Sequence, residues 1–452
     1  MTSKLKSIDM LRKNFEEISP GLKNQEALEE SNRCLYCYDA PCIQACPTGI
    51  DIPTFIKKIA SGNLKGSAKT IMSANPVGAS CARVCPTEEL CEGACVLNAS
   101  TKPIVIGDLQ RYATDWAIHN EQVLFKAGKK NGKTVAIVGG GPAGLSAARE
   151  LALLGYKVTI FEAEKEAGGL NTYGIVSFRL PQAISFWEVE QVKSLDVEIR
   201  TNIRVGEDVS VRKLIKDYDS IVLAIGMANV PKLGIKGEDL DNVYDAIEFV
   251  KKTKEDIPTS FIGKKVAVIG AGNTAIDAAT SSVRLGAENV KVVYRRTVDE
   301  MSAYDFEYEF AKQEGVEFRW LTTPKEMISD ENGKVKGIIC SKNELQEQAD
   351  GSVRPVPIDG TEFTMDADVV IRAIGQSRYV DLIEAFQLEH TNGVVQVRKG
   401  TFQTSNDKVF ACGDVVFGNG QGDAMVVTAA EQGKQAAYQL HEKLMKKVTE
   451  TA

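Results

Sequence analysis

Apolar positions change their period partway along the chain. Before residue 125, stretches such as IPTFIKKIASGNLKGSAKTIMSA (residues 52–74) carry apolar side chains at three- and four-residue spacing, which predicts helices with one buried face. At Thr134 the pattern becomes short continuous apolar runs. KTVAIVGGGPAGLSAARELALLGYKVTIFE gives a strand, a Gly-rich turn, a small-residue helix and a second strand. The same succession returns at Lys265 in KKVAVIGAGNTAIDAATSSVRLGAENVKVVYRR, the one internal repeat. Each copy predicts a βαβ nucleotide-binding unit. Between the two regimes FKAGKKNGK (residues 125–133), basic and Gly-containing, reads as a linker. The chain closes with an apolar strand in KVFACGDVV and a helix expected from about Ala424 to Lys446. The expected class is α/β: a helical domain followed by two Rossmann-like domains.

Bulk composition narrows the function classes. A chain of 452 residues, 43% hydrophobic and 25% charged, has the makeup of a globular protein of about three domains. The net charge of -7 argues against a nucleic-acid partner. No stretch reaches the ~20 apolar residues of a membrane helix. The N-terminus, MTSKLKSIDMLRKNFEEISP, has no apolar core of the kind a secretory signal needs, so a cytoplasmic protein is expected. Histidine occurs only as His119, His390 and His441, which makes His-based chemistry improbable.

Cysteine changes the picture most. Eight of the ten lie between Cys34 and Cys95, and clustering of this kind in a large chain favours metal over disulfides. The first group is Cys34-x2-Cys37-x4-Cys42-x3-Cys46-Pro47; the second is Cys81-x3-Cys85-Pro86-x4-Cys91-x3-Cys95. Zinc sites, the alternative, usually show two C-x-x-C pairs around a knuckle. Runs of four with Pro directly after Cys46 and Cys85 fit iron–sulfur clusters better, because the Cys before Pro in two-cluster ferredoxins ligates the other cluster. A [4Fe–4S] cube needs thiolates from several directions: three close in sequence wrap one side, and the fourth comes from elsewhere. Counting thiols alone offers Cys81 as the eighth ligand. Cys340 and Cys412 each stand alone in an apolar run and are expected to pack as small hydrophobes.

The first Gly-rich turn is Gly139-x-Gly141-x-x-Gly144. Its glycines permit the tight turn, the approach of a pyrophosphate and the close packing of helix on strand, and Glu162 stands where an acid accepts hydrogen bonds from an adenosine ribose. Strand before, helix after and acid at the right distance make this a strong signal. The second turn is Gly270-x-Gly272-x-x-Ala275, and Arg295 and Arg296 take the place of the acid. Cations there suit a 2′-phosphate, so NADPH is favoured over NADH; the alternative is a solvated charge pair. Two dinucleotide sites suggest FAD in one and the nicotinamide nucleotide in the other. Hydride transfer between them calls for positioning rather than an acid or base, and no catalytic side chain is assigned.

These residues resemble a known family. CLYCYDAPCIQACPTGIDIPTFI, NPVGASCARVCPTEELCEGAC and IGDLQRYATDW, then GGGPAGLSAA, EAGGL, FRLP, GAGNTAIDAA and FACGDVV, are similar to the amino-terminal half of dihydropyrimidine dehydrogenase and to the separate NAD(P)H-oxidising subunit of its bacterial form. The glutamate synthase small subunit and electron-bifurcating ferredoxin:NADP oxidoreductases share much of the pattern, which covers nearly the whole chain. The resemblance implies a helical domain with two [4Fe–4S] clusters (1–125), an FAD domain in two parts (126–231 and 377–452) and an NAD(P)H domain inserted in it (232–376). It implies one cluster on Cys34, Cys37, Cys42 and Cys95, and the other on Cys46, Cys85, Cys91 and Gln110. For FAD the corresponding positions are Gly139, Gly141, Ala143, Gly144, Glu162, Gly169, Leu170, Arg179, Val205, Gly413 and Asp414. For the nicotinamide nucleotide they are Gly270, Gly272, Asn273, Thr274, Ala275, Arg295, Arg296, Ala373 and Gly375. Ser302 departs from the pyrimidine enzyme, which has another basic residue there. That enzyme's FMN barrel and catalytic cysteine loop lie beyond this region, so the expected partner is an FMN-containing catalytic subunit, with no nucleic acid and no membrane. A thioredoxin-reductase-like enzyme is disfavoured, since no C-x-x-C lies in the nucleotide domains, and a zinc-stapled nucleotide-binding scaffold is the alternative from another class.

Overall fold

The computed structural model describes residues 8–349, 351–418 and 424–451, with side chains as far as residue 446. The charged stretch before Ile8 lies outside them. The first region is helical, as the three- and four-residue spacing requires: α1 (Ile8–Asn14), α2 (Asn24–Arg33), α3 (Pro41–Gln44), α4 (Ile52–Ala60), α5 (Leu64–Ala74), α6 (Gly78–Val84) and α7 (Ile106–His119). The stretch from Ile52 to Ala74 forms two helices, because Gly62 takes φ +76° and Asn63 caps α5 by accepting from Gly66 N at 2.9 Å. Asp51 caps α4 through Thr54 N at 3.1 Å. Ile52, Phe55, Ile56 and Ile59 then meet Ala68, Ile71, Met72 and Leu109 in one core. Each large apolar side chain so buried contributes roughly 1.5–3 kcal/mol.

From Thr134 the elements alternate. β1 (Thr134–Val138), α8 (Pro142–Leu153), β2 (Lys157–Phe161), α9 (Leu170–Tyr173), α10 (Gln182–Lys193), β3 (Glu198–Arg200), α11 (Val211–Asp217) and β4 (Ser220–Leu223) come first. The chain then builds β5 (Val243–Asp245), α12 (Ala246–Glu255), β6 (Lys265–Ile269), α13 (Asn273–Arg284), β7 (Asn289–Val293), α14 (Asp305–Gln313) and β8 (Glu317–Arg319). An antiparallel group follows: β9 (Thr322–Ser329), β10 (Val335–Glu347), β11 (Val353–Pro357) and β12 (Phe363–Asp366), and then β13 (Val369–Arg372). Last come α15 (Val380–Ala385), β14 (His390–Thr391), β15 (Val394–Val395), β16 (Val409–Ala411) and α16 (Val426–Thr451).

Two parallel sheets result, in the orders β16-β4-β1-β2-β3 and β5-β13-β6-β7-β8. The first sheet starts at its middle strand, β1; the second starts at its edge with β5 and passes to its middle strand, β6, from which it runs to β7 and β8 on one side before β13 returns to the other. β1 and β6 therefore stand at the switch points where open α/β sheets bind ligands. β1 is apolar throughout because both faces are covered: Val135 and Ile137 pack with α8 and α16, while Ala136 and Val138 pack on the other face. The second Rossmann-like fold is inserted in the first, since β16 returns to pair with β4.

By contact the chain divides into two units. One comprises residues up to Glu17, Tyr173–Phe178 and Ala228–Ser377; the other comprises Ile18–Thr172, Arg179–Met227 and the chain from Arg378 onward. Within the first, Phe15, Val176 and Phe178 join Phe249, Val266 and Val292 in one core. Arg284 holds them in place, donating to Asn14 O at 2.6 Å with its guanidinium 4.3 Å from the Phe178 ring centroid. Several local expectations shift. The stretch 125–133 has no regular structure yet is packed, with Gly128 N donating to Ala152 O at 3.0 Å. The strand in KVFACGDVV is only Val409–Ala411, and Gly413–Val416 turn as a 3₁₀ helix. Arg295 and Arg296 fall just past the end of β7 rather than on it.

Candidate metal centres and nucleotide turns

The cysteines gather into two cavities. The first is lined by Cys34, Cys37, Cys42 and Cys95, and every other lining residue is apolar, Ile52, Ile56 and Ile104 among them. Local structure aims these thiols inward. Cys34 ends α2, Cys42 lies in the single turn of α3 behind Pro41, and Cys95 precedes a 3₁₀ turn, Val96–Ala99. The second cavity is lined by Cys46, Cys81, Cys85, Cys91 and Gln110, with Asn75, Thr87 and Val427 of α16. So the two short sequence runs exchange members: Cys95 of the second run joins the first cavity, and Cys46 of the first run joins the second.

The electrostatics show the same partition. Burial raises the Cys34 thiol pKa, and the neighbouring Cys37 and Cys95 add to it. Burial pushes Cys42 up to about 11, with Cys34 and Cys95 contributing. Cys85 is raised by its hydrogen bond with Cys81, by burial, and by the charges of Cys81, Cys91 and Cys46. Thiols crowded in this way resist ionising alone, and a cationic core reverses that, because ligation deprotonates thiols outright. Among the described residues no three His, Cys, Asp or Glu converge as ligands of a single metal ion; the sulfurs surround a space rather than a point. That donor set fits [4Fe–4S] clusters.

Both candidates for the eighth ligand reach the second cavity. Gln110 is 7% exposed on α7, and its Nε2 donates to Gly78 O at 2.7 Å, which orients the carboxamide and leaves Oε1 as the free acceptor. Cys81 is 3% exposed, one helical turn before Cys85, and also packs with the apolar core under β1. Cys340 and Cys412 are fully buried in apolar surroundings.

The nucleotide turns are built alike. At Gly139 (φ +101°) a Cβ would stand 2.3 Å from Ala224 O; at Gly270 (φ +125°) it would stand 2.1 Å from Ala373 O. The wall in each case is the carbonyl of the strand across the switch point, in LAIG (Leu223–Gly226) and RAIG (Arg372–Gly375). Sequence reasoning missed the role of Ala224, though the repeated Ala-Ile-Gly tripeptide was the available signal. Gly141 and Gly272 precede the first turns of α8 and α13, and neither helix start has a side-chain cap, so the leading N–H groups are open to an anion. A Cβ on Gly141 would meet nothing nearer than 3.8 Å, whereas one on Gly144 would lie 2.0 Å from Gly139 O.

Around the first turn, Glu162 is 7% exposed and accepts from Gly140 N and Glu164 N, each at 2.8 Å, so it also shapes the turn. Burial raises its carboxyl pKa. Gly169 approaches Gly141, where a Cβ would be 2.8 Å from its Cα, and Leu170 opens α9 partly exposed. Gly413 (φ +76°) lies against Ala143 and donates its N–H to Gln432 Oε1 at 2.8 Å. Burial raises the Asp414 carboxyl pKa, while Arg378, whose guanidinium donates to the Asp414 and Phe417 carbonyls, opposes the shift. Arg179 is half-buried before α10, and Val205 is buried in the apolar cluster with Val138 and Phe161.

Around the second turn, Asn273 Oδ1 accepts from Tyr304 N at 3.1 Å, folding the Ser302–Tyr304 loop over the helix start; Ser302 Oγ would be 3.1 Å from a Cβ on Gly272. Thr274 is half-buried and Ala275 fully buried beside it. Arg295 is exposed. Arg296 is half-buried, and its Nε is buried without a hydrogen-bond partner. The adjacent acid is occupied: Glu300 Oε2 accepts from Thr297 N and Oγ1 at 2.9 and 2.5 Å. Gly375 (φ +98°) closes the turn after β13.

Comparison with known proteins bears on both regions. Residues 11–122 match the family described as dihydropyrimidine dehydrogenase domain II, 4Fe–4S cluster, and residues 133–433 match pyridine nucleotide-disulphide oxidoreductase. The NADP(+)-dependent formate dehydrogenase subunit beta of Moorella thermoacetica is 37% identical over 91% of the chain, a match that spans 60% of that relative's own length. The glutamate synthase (NADPH) small chain of Escherichia coli is 34% identical over 96% of this chain and 94% of its own. The NAD-dependent dihydropyrimidine dehydrogenase subunit PreT of Salmonella typhimurium is 34% identical over 96% and 98%. Among solved structures, FprA of Mycobacterium tuberculosis aligns with a TM-score of 0.59 at 20% identity over 71% of this chain and 86% of its own. The thioredoxin reductase of T. acidophilum gives 0.55 at 21% identity over 69% and 99%. At these identities the two structures speak to the fold alone. No helix among the described residues is long and apolar enough to cross a membrane.

The paired turns make a discriminating prediction. Gly139→Ala drives a Cβ into Ala224 O and should leave the protein without bound flavin; Gly270→Ala, which meets Ala373 O, should keep the flavin and lose nicotinamide-nucleotide binding. Flavin absorbance of the purified variants and NADPH titration read the two outcomes separately.

Proposed function

The chain belongs to the pyridine nucleotide-disulphide oxidoreductases, as an NAD(P)H-dependent FAD oxidoreductase with an amino-terminal 4Fe–4S domain, and from this premise we propose that it is the electron-input subunit of a larger enzyme, oxidising NAD(P)H at FAD and passing electrons through two [4Fe–4S] clusters to a partner subunit. The observation that carries the reading is the pair of separate thiol-lined cavities in one helical region. Cys34, Cys37, Cys42 and Cys95 hold one cluster. Cys46, Cys85, Cys91 and Gln110 hold the other, with Cys81 packed as a neighbour. FAD takes hydride as an electron pair and the clusters carry electrons singly.

The chain's residues order the route. Cys81 and Cys85 pack with the core under β1, and Val427 of the flavin half lines the same cavity, so the cluster there is the inner one. The other cavity is rimmed by Leu35, 62% exposed, and Val96, 42% exposed, and it is the outlet towards a partner. The first Gly-rich turn and α8 hold the FAD pyrophosphate, Glu162 the adenosine ribose, and Gly413 and Asp414 the flavin side. Gly272 to Ala275 hold the nicotinamide nucleotide's pyrophosphate and Arg296, with Arg295, its 2′-phosphate. The buried, unpartnered Nε of Arg296 supports NADPH as the preferred coenzyme. Relatives named as subunits support a hetero-oligomer, and the preferred partner is an FMN-containing dihydropyrimidine dehydrogenase subunit. Equal identity to a glutamate synthase small chain supports that assembly as the second reading.

Four measurements test these assignments. Replacing both Arg295 and Arg296 by Gln should weaken NADPH roughly ten- to a hundred-fold, since charge-assisted contacts contribute ~1.5–3 kcal/mol, and leave NADH nearly unchanged; equal losses would make the pair structural. Anaerobically purified protein should hold roughly eight irons in two clusters. Gln110→Cys should then shift the potential of one cluster only, while Cys81→Ser leaves both intact; destruction of a cluster by Cys81→Ser reverses the ligand assignment. Finally, the lone chain should oxidise NADPH with artificial acceptors but reduce uracil or thymine only when an FMN-containing partner is titrated in. Coupling only to glutamate synthesis would move it to the second reading.

A further inference from the structure

Two cations of the flavin half reach into the helical region at one place. Arg149, on α8, is 3% exposed; its Nη1 donates to Met72 O at 2.8 Å and its Nη2 to Ser73 O at 2.9 Å. Lys434, on α16, donates from Nζ to Ala74 O at 3.2 Å and to Thr48 O at 2.9 Å. Met72, Ser73 and Ala74 are the last residues of α5, so the two side chains take its terminal carbonyls at the negative end of its dipole. Thr48 lies two residues after Cys46, and Asn75, which ends α5, lines the inner cavity. Arg149 is neutralised by Glu150, which accepts from Tyr438 Oη at 2.9 Å. A buried ion pair is rarely more stabilising than apolar side chains of equal volume. Its presence at this joint therefore calls for a positional explanation.

α8 and α16 are also the helices that frame the first nucleotide turn. Gly141 begins α8, and Gly433 of α16 lies so close that a Cβ there would stand 2.0 Å from Ala143 O. Lys434 follows Gly433 directly and Arg149 lies about two turns along α8 from Gly141, so the same two helices hold both the flavin turn and, by these hooks, the backbone beside the inner cavity. Resting on the function proposed above, we propose that Arg149 and Lys434 are positioning residues that set the placement of the inner cluster relative to the flavin, and hence the rate of the one-electron step between them. In that step one electron leaves the two-electron-reduced flavin and lowers the cluster's charge by one; the second follows when the cluster has been emptied towards the partner.

The test separates placement from stability. Arg149→Met with Glu150→Gln removes the hook and its counter-charge together, keeps a partner for Tyr438, and should leave a folded protein; Lys434→Gln is an independent second variant. NADPH is mixed rapidly with the purified holoprotein, following flavin bleaching optically and cluster reduction by freeze-quench EPR. Flavin reduction and iron content should match the wild type while cluster reduction slows several-fold, and Arg149→Lys should recover part of the rate. Amide hydrogen exchange across residues 72–80, read without turnover, should rise in the same variants. Unchanged cluster reduction in a folded, iron-replete variant would overturn the proposal, as would an equal fall in both steps or the loss of iron from every variant. Wild-type protein lacking flavin or iron would instead overturn the underlying function, before any variant is made.

Discussion

The contact between Gly433 and the Ala143 carbonyl leaves no room for a methyl group, and much of the flavin half follows from it. It brings the C-terminal helix onto the first turn of α8, where Gly413 also closes in on Ala143. With α16 in that position, Gln432 can hold the Gly413 amide, Val427 can line the inner thiol cavity and Lys434 can reach the end of α5. A helix from the far end of the chain is thus part of both the nucleotide turn and the metal region.

The two kinds of site solve opposite electrostatic problems. The Gly-rich turns present unsatisfied N–H groups, a positive end awaiting an anion. The cavities present crowded thiols whose pKa values burial and mutual repulsion raise, a set awaiting a cation. Each is locally unfavourable on its own; on the function proposed above each would be completed by its cofactor, and bound FAD and clusters would then add to the stability of the folded chain.

Much of this was legible in the sequence, where the signal is local. TVAIV and KVAVI form strands at the expected residues because parallel strands buried on both faces need unbroken apolar runs. The crossing of Cys46 was legible from the Pro that follows it, but the same rule moved Cys85, which stays in the cavity of its own run; that Cys95 crosses instead followed from the family pattern. The segment 125–133 looked like a free linker because its charge hides a backbone hydrogen bond from Gly128 to the end of α8. The antiparallel group β9–β12 went unread although β9–β10 and β10–β11 are local hairpins: register shifts at Val335/Gly337 and Ile339/Cys340 interrupt the alternation, and Gly337 and Ile338 of β10 lie against both β9 and β12. The hooks of Arg149 and Lys434 have no sequence signature, since a cation in a helix ordinarily faces water.

The short segment Tyr173–Phe178 has a bearing on protein engineering. It is encoded with the flavin half, yet Val176 and Phe178 are buried with Phe15 in the core of the nicotinamide-nucleotide unit. That unit is therefore not a transplantable module. A chimera that swapped only Ala228–Ser377 from a relative would set a foreign core against three native side chains, one of them far upstream, and would inherit misfit where they meet. Exchanging coenzyme preference between relatives calls for side-chain grafting at the turn, with the core of the host left whole.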